Sequence, residues 1–209
     1  MKRRLFVALD MPQNVAERLL LLCGGLSAAR WTPPEQLHLT LAFIGEVDGA
    51  LFLDIREALA DIAAPGFDLR LSGAGVFPPR GEPRVLWAGV APEPALVHLH
   101  KKVTACLQRA GVELERRKFS PHITLARLSR GADPSQAARW VRAHALLKSE
   151  PFAVDRLTLY ESVLGRNGAT HLPQADYALE TAGHEKGGFN PEVEAAGVSG
   201  GDERNRTAE

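Results

Sequence analysis

Two cysteines in 209 residues, Cys23 and Cys106, are too few for a disulfide framework, and both fall in segments of helical spacing. That excludes the small cross-linked secreted scaffolds and points to a reducing cytoplasm as the compartment. No segment approaches the roughly 20 consecutive apolar residues of a membrane-spanning helix, so no membrane partner is expected. The basic opening Met1-Lys2-Arg3-Arg4 is that of a secretory leader, but the apolar run Leu5 to Leu9 stops at Asp10 and is too short for one. Neither a phosphate-cradling P-loop pattern nor Gly-x-Gly-x-x-Gly after a strand occurs, so no nucleotide cofactor is expected. Net charge is missing too, with 25 Lys and Arg against 25 Asp and Glu.

That balance hides an uneven spread. From Gly183 onward there are six acidic and three basic residues, which leaves 22 basic against 19 acidic over residues 1–182. A slightly basic body is compatible with an anionic ligand. The tail's Gly, Glu, Asn and Ala predict a disordered acidic segment over 183–209, and residues 1–182 the folded domain. Gly197-Val198-Ser199-Gly200-Gly201 in the tail spells a hydrolase nucleophile elbow without the strand–turn–helix setting it needs.

The chain is 45% apolar, an ordinary globular content, and long enough for one large domain or two small lobes. Residues 3–10 read as a strand, and Pro12 opens a helix that Gly24-Gly25 ends. Further helices are expected at 48–63, 94–110 and 133–147, and strands at 37–44, 67–71, 84–90, 122–128, 151–160 and 177–180. Gly73 to Gly81 reads as a loop, and Trp31-Thr32-Pro33-Pro34 as an irregular approach to the strand that follows.

One phrase occurs twice: His38-Leu39-Thr40-Leu41-Ala42 and His122-Ile123-Thr124-Leu125-Ala126. Strand alternation puts His and Thr on one face and the aliphatics on the other. His38 and Thr40 then project side by side about 7 Å apart, as do His122 and Thr124. Core packing gives no reason for the same polar pair at matching places in two strands. If the strands meet across a cleft, two imidazoles and two hydroxyls converge there.

Imidazoles of unperturbed pKa near 6.5 can serve as one general base and one general acid. Hydroxyls can steady developing negative charge, and the set suits displacement at phosphorus. A metal site is disfavoured because each phrase supplies one strong ligand and no carboxylate beside it. His98 and His100 fall on different sides of their helix and read as surface or part-buried residues. Arg127 follows the second phrase on the opposite parity from the histidines; a solvated strand-end charge and a phosphate contact are both open. Arg116, Arg117, Lys118, Arg127 and Arg130, with no acid among them, make the stretch 116–130 the candidate approach surface for nucleic acid. Phe43 reads as a core aromatic, with stacking on a base as the alternative.

The stretches Leu37-His38-Leu39-Thr40-Leu41-Ala42-Phe43-Ile44-Gly45, Arg84-Val85-Leu86-Trp87 and Phe119-Ser120-Pro121-His122-Ile123-Thr124-Leu125-Ala126-Arg127 resemble the two-histidine phosphoesterases. The resemblance is closest to the RNA 2',3'-cyclic phosphodiesterases historically called 2'-5' RNA ligases. It implies a bilobal α+β fold, with two lobes of mostly antiparallel sheet related by a pseudo-two-fold, helices outside and an active-site cleft between. It also implies metal-independent opening of RNA 2',3'-cyclic phosphates to 2'-phosphates, with 2'-5' ligation as the reverse; the chain itself is expected to be a monomer. By match to those motifs, His38 is the proton donor and His122 the proton acceptor. Thr40, Thr124 and Arg127 bind the phosphate, and Phe43 and Arg130 become candidate RNA contacts. His171 departs from the pattern, since relatives often carry Tyr there. Two alternatives stay open: a non-catalytic module that binds RNA ends, and a diesterase for small cyclic nucleotides or 2'-5' oligonucleotides.

Overall fold

The strand β1 (Arg3–Asp10) lies inside the sheet because Leu5, Phe6, Val7, Ala8 and Leu9 are each at most 3% exposed, the uninterrupted apolar run of a strand covered on both faces. The computed structural model describes residues 2–115, 118–165 and 168–180. The tail expected over 183–209 lies outside these residues, as do Arg116 and Arg117 of the basic stretch.

After β1 the chain forms α1 (Gln13–Leu20), β2 (Ala29–Trp31), a short 3-10 turn at Pro34–Gln36, β3 (His38–Val47) and α2 (Gly49–Ala60). There follow β4 (Phe67–Leu69), β5 (Leu71–Phe77), β6 (Val85–Val90), α3 (Pro94–Arg109), β7 (His122–Leu128) and α4 (Pro134–Ala143). The chain continues with β8 (Phe152–Val154), β9 (Arg156–Gly165) and β10 (Gly168–Ala178). Local chemistry starts the three longer helices. The side chains of Asp48, Glu93 and Asp133 accept from the backbone N–H of Leu51, Ala95 and Ser135, and Pro94 and Pro134 occupy first-turn positions where no N–H is needed. Among the described residues no helix is long and apolar enough to cross a membrane.

One eight-stranded sheet carries both lobes, in the order β10-β9-β1-β3-β7-β6-β5, with β2 also paired to β7. The two phrase-bearing strands lie side by side at its centre. Each has a partner on its outer side, β1 for β3 and β6 for β7, all antiparallel. The expected two-fold relation is therefore a half-turn about the contact of β3 with β7. Leu39, Leu41, Ile123 and Leu125, at most 2% exposed, project into the helix-packed core, so the opposite face of both strands is left for His and Thr.

Three sequence expectations are corrected. The Gly-rich stretch from Gly73 is mostly strand, because β5 takes its ladder from β6 and Gly75 leaves room for Trp87: a Cβ there would stand 2.1 Å from the indole. The strand expected over 151–160 is two strands, β8 pairing with β4 and β9 with β1 and β10. The last strand spans eleven residues, far longer than 177–180. It is a sheet edge containing Pro173, and its mixed burial shows no alternation to read.

Candidate active site

The ladder between β3 and β7 holds one partnered pair, Leu39 with Ile123. Carrying that antiparallel register one residue either way sets His38 across from Thr124 and Thr40 across from His122. Directly opposed residues on one face have Cβ atoms about 5 Å apart, and diagonal ones about 7–8 Å. The two histidines thus sit on one diagonal of a small square and the two threonines on the other.

Both imidazoles are held in the same way. Nδ1 of His38 lies 2.8 Å from the carbonyl of Gln36, and Nδ1 of His122 lies 2.7 Å from the carbonyl of Ser120. In each case the acceptor is two residues upstream. A carbonyl only accepts, so each Nδ1 carries the proton, and Nε2 is the nitrogen left for chemistry.

A further repeat lies in the backbone. Leu41 and Ala42 together oppose Val7, and Leu125 and Ala126 together oppose Leu86, a β-bulge at the same place in each phrase. Each bulge reverses the parity of the residue after it. Phe43 is consequently 67% exposed instead of core, and Arg127 is exposed on the side of His122 and Thr124. Counting strictly by twos put Arg127 on the other face. The doubled apolar pair Leu-Ala was the sequence signal against it.

The surroundings of the histidines differ. His38 packs on Phe6 at 4.9 Å between ring centroids, on His171 at 5.0 Å and on Tyr160 at 6.3 Å. Burial drives its pKa down to about 4, with the nearby His171 and His122 adding to the fall, while the Gln36 carbonyl and Asp10 act against it. His38 is therefore neutral in the free protein at neutral pH. The Tyr160 hydroxyl donates to Asp10 at 2.6 Å, and the Thr158 hydroxyl lies 2.8 Å from both Asp10 and Asp176. Burial and the Asp10 carboxylate raise the phenol's pKa, so it remains a donor. His122 instead packs on Phe77 at 5.0 Å and Trp87 at 6.3 Å.

His171 reaches the site from β10. Burial and the charge of Arg127 lower its pKa. Among the described residues, the buried side-chain nitrogens without a hydrogen-bond partner are Nδ1 of His171 and Nε1 of Trp87, one beside each motif histidine.

His100, part-buried within the range expected of it, ties the two phrases together from α3. Its Nδ1–H donates to the carbonyl of Leu41 at 2.9 Å, in the first bulge. Its ring stacks on Phe119 at 3.9 Å and 4° interplanar, one residue before the Ser120 that orients His122. Arg130 lies exposed in the turn after β7. Among the described residues no three His, Cys, Asp or Glu side chains are grouped to hold a metal ion. Phe6, Asp10, Tyr160 and His100 carry no motif; distant elements bring them here through sheet pairing and helix packing.

A family model described as the 2'-5' RNA ligase superfamily matches residues 25–166. Curated proteins called RNA 2',3'-cyclic phosphodiesterase are similar to the chain. The Escherichia coli protein is 31% identical over 183 residues, covering 85% of this chain and 97% of that one. The Thermotoga maritima protein is 32% identical over 173 residues, covering 79% and 89%. The Geobacillus stearothermophilus protein is 34% identical over 175 residues, covering 81% of this chain and 54% of that protein, so the chain spans about half the length of that relative. Among solved structures, E. coli LigT complexed with 3'-AMP matches with a TM-score of 0.70 and 29% identity, covering 86% of this chain and 99% of that one. A phosphoesterase crystal structure matches with a TM-score of 0.71 and 30% identity over the same shares.

Proposed function

The chain belongs to the 2'-5' RNA ligase superfamily, and from that membership we propose that it opens RNA 2',3'-cyclic phosphate ends to 2'-phosphates, as a monomer in the cytoplasm and without a metal. The observation that carries the reading is the matched pair of histidines, each with Nδ1–H held by a carbonyl two residues upstream and Nε2 free for substrate.

In this mechanism Nε2 of His122 takes a proton from water as the water oxygen bonds to phosphorus. The P–O3' bond breaks, and His38 delivers a proton to the departing O3'. His38 is neutral at rest because it is buried; the negative charge of a bound cyclic phosphate favours its protonated form and supplies the acid when it is needed. Thr40 and Thr124 donate to the non-bridging oxygens from the other diagonal, and Arg127 balances their charge. Phe43 offers an exposed ring for the terminal base, and Arg130 lies on the approach. A 5'-hydroxyl in place of water, by the same steps, joins the end in a 2'-5' linkage. That the E. coli relative forms crystalline complexes with 3'-AMP and with phosphate supports a nucleotide phosphate as the ligand.

The test is turnover, in EDTA, of an oligoribonucleotide ending in 2',3'-cyclic phosphate. Wild type should release a 2'-phosphate end, and His38→Ala and His122→Ala should each lose about 100-fold or more. Activity that disappears with EDTA, or binding without turnover by wild type, overturns the reading.

A further inference from the structure

His171 stands opposite Ser162 in the register of β10 on β9. Two residues from Ser162, and so on the same face, Tyr160 opposes Phe6 of β1. That register carries the His171 ring to the face of the sheet that holds His38. It lies 4.9 Å from Phe6, at 74° between the planes, and 5.0 Å from His38, at 78°. Its two nitrogens are unlike. Nδ1 is buried without a hydrogen-bond partner, whereas Nε2 is not among such atoms, in a side chain that is half-buried as a whole. Burial, and then the charge of Arg127, hold the ring's pKa below its ordinary value, so it is neutral at pH 7. A buried N–H without an acceptor is rarer and costlier than a buried lone pair without a donor, so the one proton of the neutral ring belongs on Nε2.

A second proton on His171 would have to go to Nδ1, where nothing accepts it. His38 is built the other way. Its Nδ1–H already rests on the Gln36 carbonyl, so its second proton goes to the open Nε2. Of these neighbouring imidazoles, one can be charged without orphaning a donor and the other cannot. The titratable and charged groups around His171 are His38 of β3, Tyr160 of β9 and Arg127 of β7, with Asp10 of β1 bonded to the Tyr160 hydroxyl.

We propose that His171 is a further substrate-binding residue, a neutral imidazole whose Nε2–H donates to a phosphate oxygen of the bound RNA end beside His38. This rests on the reading of the site as one that acts on 2',3'-cyclic phosphate ends. A bound phosphate favours the charged form of every imidazole near it. The unpartnered Nδ1 keeps His171 from taking that proton, which goes instead to His38, where the departing O3' needs it. A charged His171 at 5.0 Å would oppose the charging of His38. A neutral one supplies a hydrogen bond to the anion without that repulsion.

Two substitutions separate this role from packing. His171→Phe keeps a ring against Phe6 and His38 and removes both nitrogens. His171→Gln gives up the ring and keeps an N–H at the reach of Nε2. On an oligoribonucleotide ending in 2',3'-cyclic phosphate, His171→Phe should lower kcat/KM about tenfold, the loss of one hydrogen bond to a charged group. His171→Gln should recover most of that loss. Packing alone predicts the reverse order, and the reverse order, equal losses or no loss would overturn the proposal. Nitrogen NMR of the wild type with 2'-AMP bound, assigned with His171→Gln, reads the proton directly. His171 should stay neutral with its proton on Nε2, and a proton on its Nδ1 would overturn the assignment. If wild type turns over no cyclic end, the proposed activity fails. The role of His171 is then read from the dissociation constant of 2'-AMP, and it stands only if His171→Phe weakens binding about tenfold and His171→Gln restores it.

Discussion

Phe43 and Arg127 occupy the same place in two copies of one design. Each lies five residues after its histidine, and each is turned out of the core by a bulge at the preceding Leu-Ala pair. The backbone solution is shared and the chemistry is not, since one strand ends its phrase with an aromatic ring and the other with a cation. That asymmetry gives the site an apolar end and a charged end.

Replacing Phe43 with Leu keeps an apolar side chain of similar reach and removes the stacking face. Stacking of a base on an aromatic side chain contributes about 1–3 kcal/mol. KM for a purine-ended cyclic phosphate should rise several-fold or more, with a smaller rise for a pyrimidine end. Steady-state kinetics on the two ends check this, and an unchanged KM on both would remove Phe43 from the binding surface.

The lowered pKa of His38 also predicts how stability varies with pH. The unfolded imidazole takes a proton near 6.5, whereas the folded one resists until about 4. The contribution is fully present above about 6.5 and is lost as pH falls between these values, to a total of roughly 3 kcal/mol. His171, lowered by its own burial, acts in the same direction. Thermal unfolding followed from pH 7.5 to 4.5 should show a falling midpoint, and His38→Asn should flatten the slope.

Anion binding should reverse the same shift. An anion against the buried His38 ring favours its charged form, so binding of sulfate, which does not itself titrate near pH 7, should draw protons from the buffer. Calorimetric titrations in two buffers of different ionisation enthalpy measure that uptake. A value of zero would mean that His38 stays neutral beside the bound anion, against its role as proton donor.

His100 provides two contacts that separate variants can remove. His100→Phe keeps a ring against Phe119 and leaves the Leu41 carbonyl without its donor, whereas His100→Asn retains a donor and loses the stack. Both should lower kcat, by about tenfold, through misplacement of the motif strands rather than loss of a reacting group. Nitrogen NMR of His122 distinguishes them: His100→Asn should reduce the population with the proton on Nδ1, because Phe119 adjoins the Ser120 that holds it. Equal spectra in the two variants would assign His100 to stability alone.

The repeated phrase, the strand that contains it in each half, and the helices with their Asp, Glu and Pro starts were all legible locally, because alternation, spacing and capping act within a few residues. The glycine-rich β5 and the edge strand β10 were not, since both take their extended form from a neighbour's ladder and not from a pattern of their own. By itself the chain's order of residues determined which groups were available: two histidines, two threonines, an aromatic and an arginine at matched offsets. Tertiary structure decided that the two phrases lie side by side, that bulges turn Phe43 and Arg127 outward, and that Asp10, His100 and His171 surround them. Those are pairings between residues far apart in sequence, and long-range packing selects among them where local periodicity carries no record of the choice.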